Sequence, residues 1–360
     1  MASYKKIKTI DDELMRLRVS DRLLALRRQL GEEIPAKTAT DTLLLATWNI
    51  REFGDNRTIE SCYYIAEIID HFDIVVVQEV NSKKLDGLEQ VMSILGDNWS
   101  YILSDGVEGT AGGNEAMAFI FNTNKVRFTG MVGEIVLPEN SLMNGVQFAR
   151  TPYMASFRAG WFDFKLCTVH IYYGSEKNSE GLIQRRLDEI KTISDFLLKR
   201  QKSDDVSYIL LGDFNIPDTK GKYFNALVED RSVTASGKVK TTQKFFIPEE
   251  IRKHPTDLGQ VSHYDQIAFS LKLEKSMVLY DDDEQKAGAF NFTKSVYRPE
   301  DYEVYKPLYQ AAYDKLTSKS KSEEKYFTGK WRTFQMSDHL PLWVELKIDF
   351  SDEYLKTHTK

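Results

Sequence analysis

Residues 208–211 (Tyr-Ile-Leu-Leu) form a short apolar run that stops at Gly212 and then presents Asp213 and Asn215. Side chains two apart in an extended segment point the same way, so this carboxylate and carboxamide can reach one ligand. Oxygen donors of this kind suit hard cations. A polar turn is the alternative, because Gly, Asp and Asn are common turn residues. Other apolar runs end in the same manner. The run 43–48 stops at Asn49, 74–77 at Gln78 and Glu79, and 165–169 at His170. The last run, 342–346, is entered from Ser337-Asp338-His339. A buried carboxylate or amide costs several kcal/mol without a partner, so each residue at such a border wants a hydrogen bond or a metal. Convergence of these ends would gather Asn49, Glu79, Asp213, Asn215 and Asp338 as oxygen donors, with His170 and His339 beside them. Such a set, free of cysteine, suits Mg²⁺, Mn²⁺ or Ca²⁺ better than structural zinc. Two histidines next to a hard cation suit phosphoester hydrolysis, in which the cation offsets phosphoryl charge and a positioned base activates water. Taken singly, Asn49 and Asp338 also read as turn residues, Glu79 as solvent-facing, and His170 as a satisfied border histidine.

The elements that must carry these residues follow a strand, helix, strand rhythm. Apolar runs predict strands at 43–50, 73–78, 116–121, 266–271 and 342–346, and a hairpin over 155–168 broken at Ala159-Gly160. Helices are expected at 58–71, with Ile59, Cys62, Tyr63, Ala66 and Ile69 on one face, and at 179–200, built on Leu182, Leu187, Ile190, Ile193 and Leu197. Many strands with few connecting helices argue for packed sheets with helices outside, not one parallel sheet. Residues 1–40 form a basic helical extension: through Leu30 it carries Lys5, Lys6, Lys8, Arg16, Arg18, Arg22, Arg27 and Arg28. It reads either as an arm for DNA or a protein partner, or as an amphipathic helical pair docked on the main domain. The catalytic domain is expected over 41–350, with an excursion at 281–325 that holds an acidic run (281–284) and a Tyr-rich helix (301–316). Residues 351–360 read as a polar tail.

Bulk properties bound the reading. The chain has 360 residues, 42 % of them hydrophobic, which is enough for a sizeable core in one large or two ordinary domains. Its formal charge of −6 advertises no global attraction to nucleic acid, although a groove can be locally basic. Only two cysteines occur, Cys62 and Cys167, both in apolar runs, so buried thiols are expected, not a disulfide framework. No run approaches a membrane span, and the first ten residues are too polar for a signal peptide. A cytoplasmic setting is expected.

Six segments in order resemble the endonuclease/exonuclease/phosphatase superfamily: Thr47-Trp48-Asn49-Ile50, Val77-Gln78-Glu79, Thr168-Val169-His170, Gly212-Asp213-Phe214-Asn215, Tyr264-Asp265-Gln266 and Ser337-Asp338-His339. The flanks, Arg51-Glu52-Phe53-Gly54 among them, are similar to its deoxyribonuclease I-like branch. The resemblance covers about residues 42–347. It implies an α/β four-layer sandwich, two mixed β-sheets inside and helices on both outer faces. It also implies metal ligation by Glu79 with Asn49 and Asp338, and with Asp213 and Asn215 in or beside the same site. His170, oriented by Glu115, and His339, oriented by Asp265, would flank the scissile phosphate. Arg51, Arg150 and Tyr264 would bind or position phosphate groups, where the arginine fork matches phosphate oxygens. Whether Asp213 or a histidine activates the water stays open.

The departures are specific. Thr151 follows Arg150 where the family has an acid, which removes support for a structural calcium there. Gln266 follows Tyr264-Asp265 where a basic residue is expected. The expected activity is metal-dependent hydrolysis of DNA phosphodiesters, as an endonuclease using Mg²⁺ or Mn²⁺, with Ca²⁺ as a further cation. The alternatives are a phosphatase or phosphodiesterase for a small phosphorylated or lipid substrate, and a non-catalytic module that holds nucleic acid or protein.

Overall fold

The computed structural model describes residues 2–106, 113–174, 179–233, 239–272, 286–316 and 322–359. The acidic run 281–284 lies outside them. Two sheets face each other. The first has six strands in the order β12-β13-β1-β2-β4-β3 and the second five, β11-β8-β7-β6-β5. In chain order the first sheet comprises β1 (Thr42–Phe53), β2 (Ile74–Asn81), β3 (Trp99–Leu103), β4 (Glu115–Asn122), β12 (Ala287–Ala289) and β13 (Leu342–Lys347). The second comprises β5 (Arg127–Glu134), β6 (Tyr153–Ala159), β7 (Phe162–His170), β8 (Ser207–Asp213) and β11 (Asp265–Ser270). A separate hairpin joins β9 (Glu229–Val233) to β10 (Val239–Gln243). Both sheets are mixed: β1 runs parallel to β2 and β7 to β8, while the other ladders are antiparallel.

Strand β1 shows why the apolar runs are continuous. Leu43 and Leu45 face the core between the sheets, whereas Leu44, Ala46 and Trp48 face a second core under the helices. Both faces are covered, so alternation disappears. Helices α1 (Glu13–Glu33), α2 (Ile59–Asp70) and α3 (Asp86–Leu95) cover the first sheet, and α4 (Ser179–Gln201) with α5 (Lys222–Val228) the second. The expected sandwich of two mixed sheets between helical layers is observed.

The leader is one long helix preceded by a 3₁₀ turn (Lys5–Thr9), not a pair of helices. Asp12 caps α1 by accepting from the Met15 amide at 3.0 Å. Part of the expected excursion belongs to the core. Ala287–Ala289 pairs with β13, and the helix Tyr302–Asp314 buries Tyr305, Tyr309 and Tyr313, which recur every four residues on one face. Residues 351–357 of the expected tail form a short helix.

Candidate active site

The strand ends converge. Register places His170, Asp213 and Asp265 side by side across β7, β8 and β11. From the opposite sheet Asn49 pairs in register with Gln78, beside Glu79. Gly212 allows this closeness: its φ is +128°, and a Cβ there would lie 2.2 Å from the Val169 carbonyl oxygen. Two of the candidate site residues sit on strained backbone, Glu79 at φ 62° and Asn215 at φ 53°. Left-handed backbone at a non-glycine residue is held only by its surroundings, and such strain collects at functional sites. At Glu79 the hold is visible, since its carboxylate accepts the Glu52 amide at 2.9 Å where the β1–β2 ladder is irregular.

Asp213 is the hub. Its Oδ1 accepts the Asn215 amide at 2.8 Å, and its Oδ2 accepts from Asn49 Nδ2 at 3.1 Å. The same Oδ2 lies 3.5 Å from His170 Nε2 and 3.8 Å from His339 Nε2. Asn49 is fully buried and also donates to Glu79 Oε1 at 3.0 Å. Asn215 donates its Nδ2 to the Ile171 carbonyl at 2.7 Å, so its amide braces the segment after His170.

Each histidine is backed by an acid. Glu115 Oε2 lies 3.1 Å from His170 Nδ1, and the same carboxylate is gripped by both prongs of Arg150. Burial opposes ionisation of Glu115, but His170 and Arg150 outweigh it and pull its pKa down to about 2. His339 Nδ1 is 2.8 Å from Asp265 Oδ2. Burial raises the Asp265 carboxyl and works against charge on His339, yet Asp265 and Asp213 together lift the imidazole to about 10. We place the shared proton on His339, which two carboxylates face.

Other expected residues lie at the rim. Arg150 spends its fork on Glu115. Asp338 is 44 % exposed and pairs with Arg51 at 3.3 Å. The Tyr264 ring lies 5.6 Å from that of His339. Asn49, Glu79, Asp213, His170 and His339 are brought together, whereas Asp338 turns outward to Arg51.

The donor set fits a hard cation. Asn49 Oδ1 is a buried acceptor with no hydrogen-bond partner, beside the Glu79 carboxylate that the same side chain touches. Asp213, Asp265 and His339 also form a compact group, each offering a ligand atom within 4.8 Å of the others. There the His339–Asp265 hydrogen bond already uses two of the three groups, which leaves Asn49 and Glu79 as the better cation site.

Three supporting residues escaped the sequence reading. Ser337 Oγ donates to the Asn49 carbonyl at 2.5 Å and accepts the His339 amide at 3.0 Å, stitching β1 to the His339 loop. Arg57 donates to the Arg51 and Glu52 carbonyls, and burial lowers its pKa to about 10. Arg186 donates to the carbonyls of Asn215 (2.9 Å) and Gly174 (3.0 Å), stacked between Tyr173 and Tyr223. Only Arg186 left a signal: it falls four residues after Leu182 and four before Ile190, on the buried face of its helix.

No family model matches the chain. Deoxyribonuclease-1 of Rattus norvegicus is 27 % identical over 189 residues, 48 % of this chain and 60 % of that protein. The chain therefore spans about three-fifths of the length of that relative. An endonuclease/exonuclease/phosphatase family protein from Bacteroides thetaiotaomicron superposes with a TM-score of 0.51 at 16 % identity, covering 86 % of this chain and 98 % of its own. The fold is thus the one seen in that endonuclease/exonuclease/phosphatase family protein, and part of the sequence is similar to deoxyribonuclease-1. A mannosyl-6-phosphatase of the same bacterium has a similar structure, with a TM-score of 0.50 at 16 % identity over 84 % of this chain and 99 % of that one. Among the described residues, no helix is long and apolar enough to cross a membrane.

Proposed function

We propose that the protein is a divalent-metal-dependent phosphoester hydrolase that cleaves DNA phosphodiester bonds as an endonuclease. The observation that carries this is the meeting of Asn49, His170 and His339 on one oxygen of Asp213, with Glu79 alongside. In this reading Asn49 and Glu79 hold Mg²⁺ or Mn²⁺, which when bound supplies charge stabilisation to a phosphoryl oxygen. Asp213 Oδ2 and His170 Nε2 are the acceptors at hand for the proton of an attacking water. Glu115 fixes the His170 ring, and Asp265 keeps the His339 imidazole charged and directed at the same point. His339 then meets the developing negative charge and gives its Nε2 proton to the leaving oxygen as the P–O bond breaks, so that the group departs as an alcohol.

A second reading, a phosphatase of a small sugar phosphate, draws on the net charge of −6 and on the fold shared with the mannosyl-6-phosphatase. A substrate panel in Mg²⁺, Mn²⁺ and EDTA separates them. The proposal predicts nicking of supercoiled plasmid that EDTA abolishes. Intact DNA together with rapid release of phosphate from mannose 6-phosphate would favour the second reading.

A further inference from the structure

Arg51 leaves the end of β1 with one corner tied and one edge open. Its Nη1 donates to Thr333 Oγ1 at 2.9 Å and pairs with Asp338 Oδ2 at 3.3 Å. Its guanidinium carbon lies 4.1 Å from the centre of the Phe334 ring. Among the described residues no partner meets Nε or Nη2, and the side chain is 30 % exposed. That open edge is the two-donor fork that matches two phosphate oxygens. The backbone beneath is held as well: Arg57 donates to the Arg51 carbonyl, and the Arg51 amide meets Ser337 Oγ at 3.3 Å.

The clamp comes from a segment far along the chain. Residues 323–326 and 332–335 are α-helical, and the five residues between them, Phe327–Trp331, form a π-turn. An extra residue in a helix turns the following side chains by about 100° around the axis. At the start of the turn Phe327 stacks with Tyr305 in the tyrosine-rich core, and at its end Trp331 packs tilted against the same ring. After it Thr333 and Phe334 meet Arg51. Gln335 accepts the Thr58 amide at 3.0 Å and the Ser61 hydroxyl at 2.9 Å. The turn thus anchors one side of the segment in the core and presents the other to the site, and π-turns recur at functional sites for this reason.

We propose that Phe334, with Thr333, is a positioning residue that presets Arg51 to grip a phosphate flanking the scissile bond. This rests on the phosphodiesterase reading above. A preset fork loses little rotamer freedom on binding, so its removal shows as weaker binding of a polymer, not as slower chemistry.

The test compares single-stranded DNA with thymidine 5′-(4-nitrophenyl phosphate), which carries the scissile diester without a flanking phosphate. Phe334→Leu is expected to raise KM for DNA about three- to thirtyfold, the range of a cation–π contact, with kcat unchanged. On the nitrophenyl ester both constants stay put. Phe334→Tyr restores the DNA KM, and Thr333→Val reproduces a milder rise if the leucine variant folds poorly. Phe334→Leu added to Arg51→Ala costs nothing further. Equal losses on both substrates, or additive losses in the double variant, overturn the clamp while leaving the hydrolase reading intact. Wild-type protein that cleaves neither substrate overturns the phosphodiesterase reading, and the role of the clamp with it.

Discussion

Two polar regions of this molecule are built on opposite terms. At the strand ends, buried groups are left short of partners and two residues sit on strained backbone: Asn49 Oδ1 has no donor, and Glu79 and Asn215 are left-handed. Under the leader, acids just as deeply buried are matched by cations. Glu60 is fully buried and receives both prongs of Arg18, Glu67 meets Arg27 at 3.3 Å, and Asp301 takes Arg298 and Arg22. Three of the basic residues that suggest a nucleic-acid arm are therefore spent inside the fold. Under-satisfied polar groups held by a rigid frame can bind something; fully matched ones only bind each other.

The contrast predicts that the two regions fail differently. Asp213→Ala should lower kcat on DNA by about 10³-fold, within the range for acid–base and electrostatic groups, while the urea midpoint stays level or rises. A large loss of stability would place Asp213 with the structural pairs. Arg18→Ala should do the reverse. It leaves the Glu60 carboxylate buried without its cation, with only the Tyr64 hydroxyl still donating to it, which costs about 3–5 kcal/mol in urea unfolding, with kcat per folded molecule unchanged. A fall in kcat at full folding would tie the leader to the site.

Glu115 belongs to the site yet behaves partly like a matched pair, so pH sharpens the contrast. Its folded pKa of about 2 lies below the ordinary value of 4.5. The carboxylate therefore adds stability above about pH 4.5, and that contribution drains away as pH falls from there toward about 2. Glu115→Gln should flatten that part of a urea-midpoint profile. An unchanged profile would mean that neither His170 nor Arg150 engages the carboxylate in solution. The smallest effect is expected from Ser337→Ala, about 1 kcal/mol of stability with a few-fold lower kcat. An unaltered kcat would show that the β1-to-His339 stitch is structural only.

How much of this was legible in the sequence follows the same division. The site showed because it breaks a rule: runs 43–48, 74–77 and 165–169 end directly on a residue that dislikes burial, and 208–211 reaches one straight after Gly212. The strands themselves were legible for the same reason, and β1, β7 and β8 run close to their expected bounds. Edge strand β12 was hidden, because Ala287-Gly288-Ala289 carries too little apolar surface to register. Strand β5 was hidden too, since most of Arg127–Glu134 is at least partly exposed. The matched pairs were invisible in principle. Arg22 and Asp301 are 279 residues apart, as are Gln335 and Asn56, and nothing local says that they meet. The leader's arginines were visible, but their partners were not, so charge alone suggested an arm.

The central claim is that the strand-end cluster around Asp213 hydrolyses phosphodiesters with a bound cation, while the equally polar flank does not take part. The most direct measurement is plasmid nicking in Mg²⁺ by wild type, Asp213→Ala and Arg18→Ala, each scaled to its folded fraction and repeated in EDTA. The account predicts wild-type rates for Arg18→Ala, about 10³-fold lower rates for Asp213→Ala, and none for any of the three in EDTA. Nicking by Asp213→Ala at the wild-type rate, or nicking that survives EDTA, would contradict it.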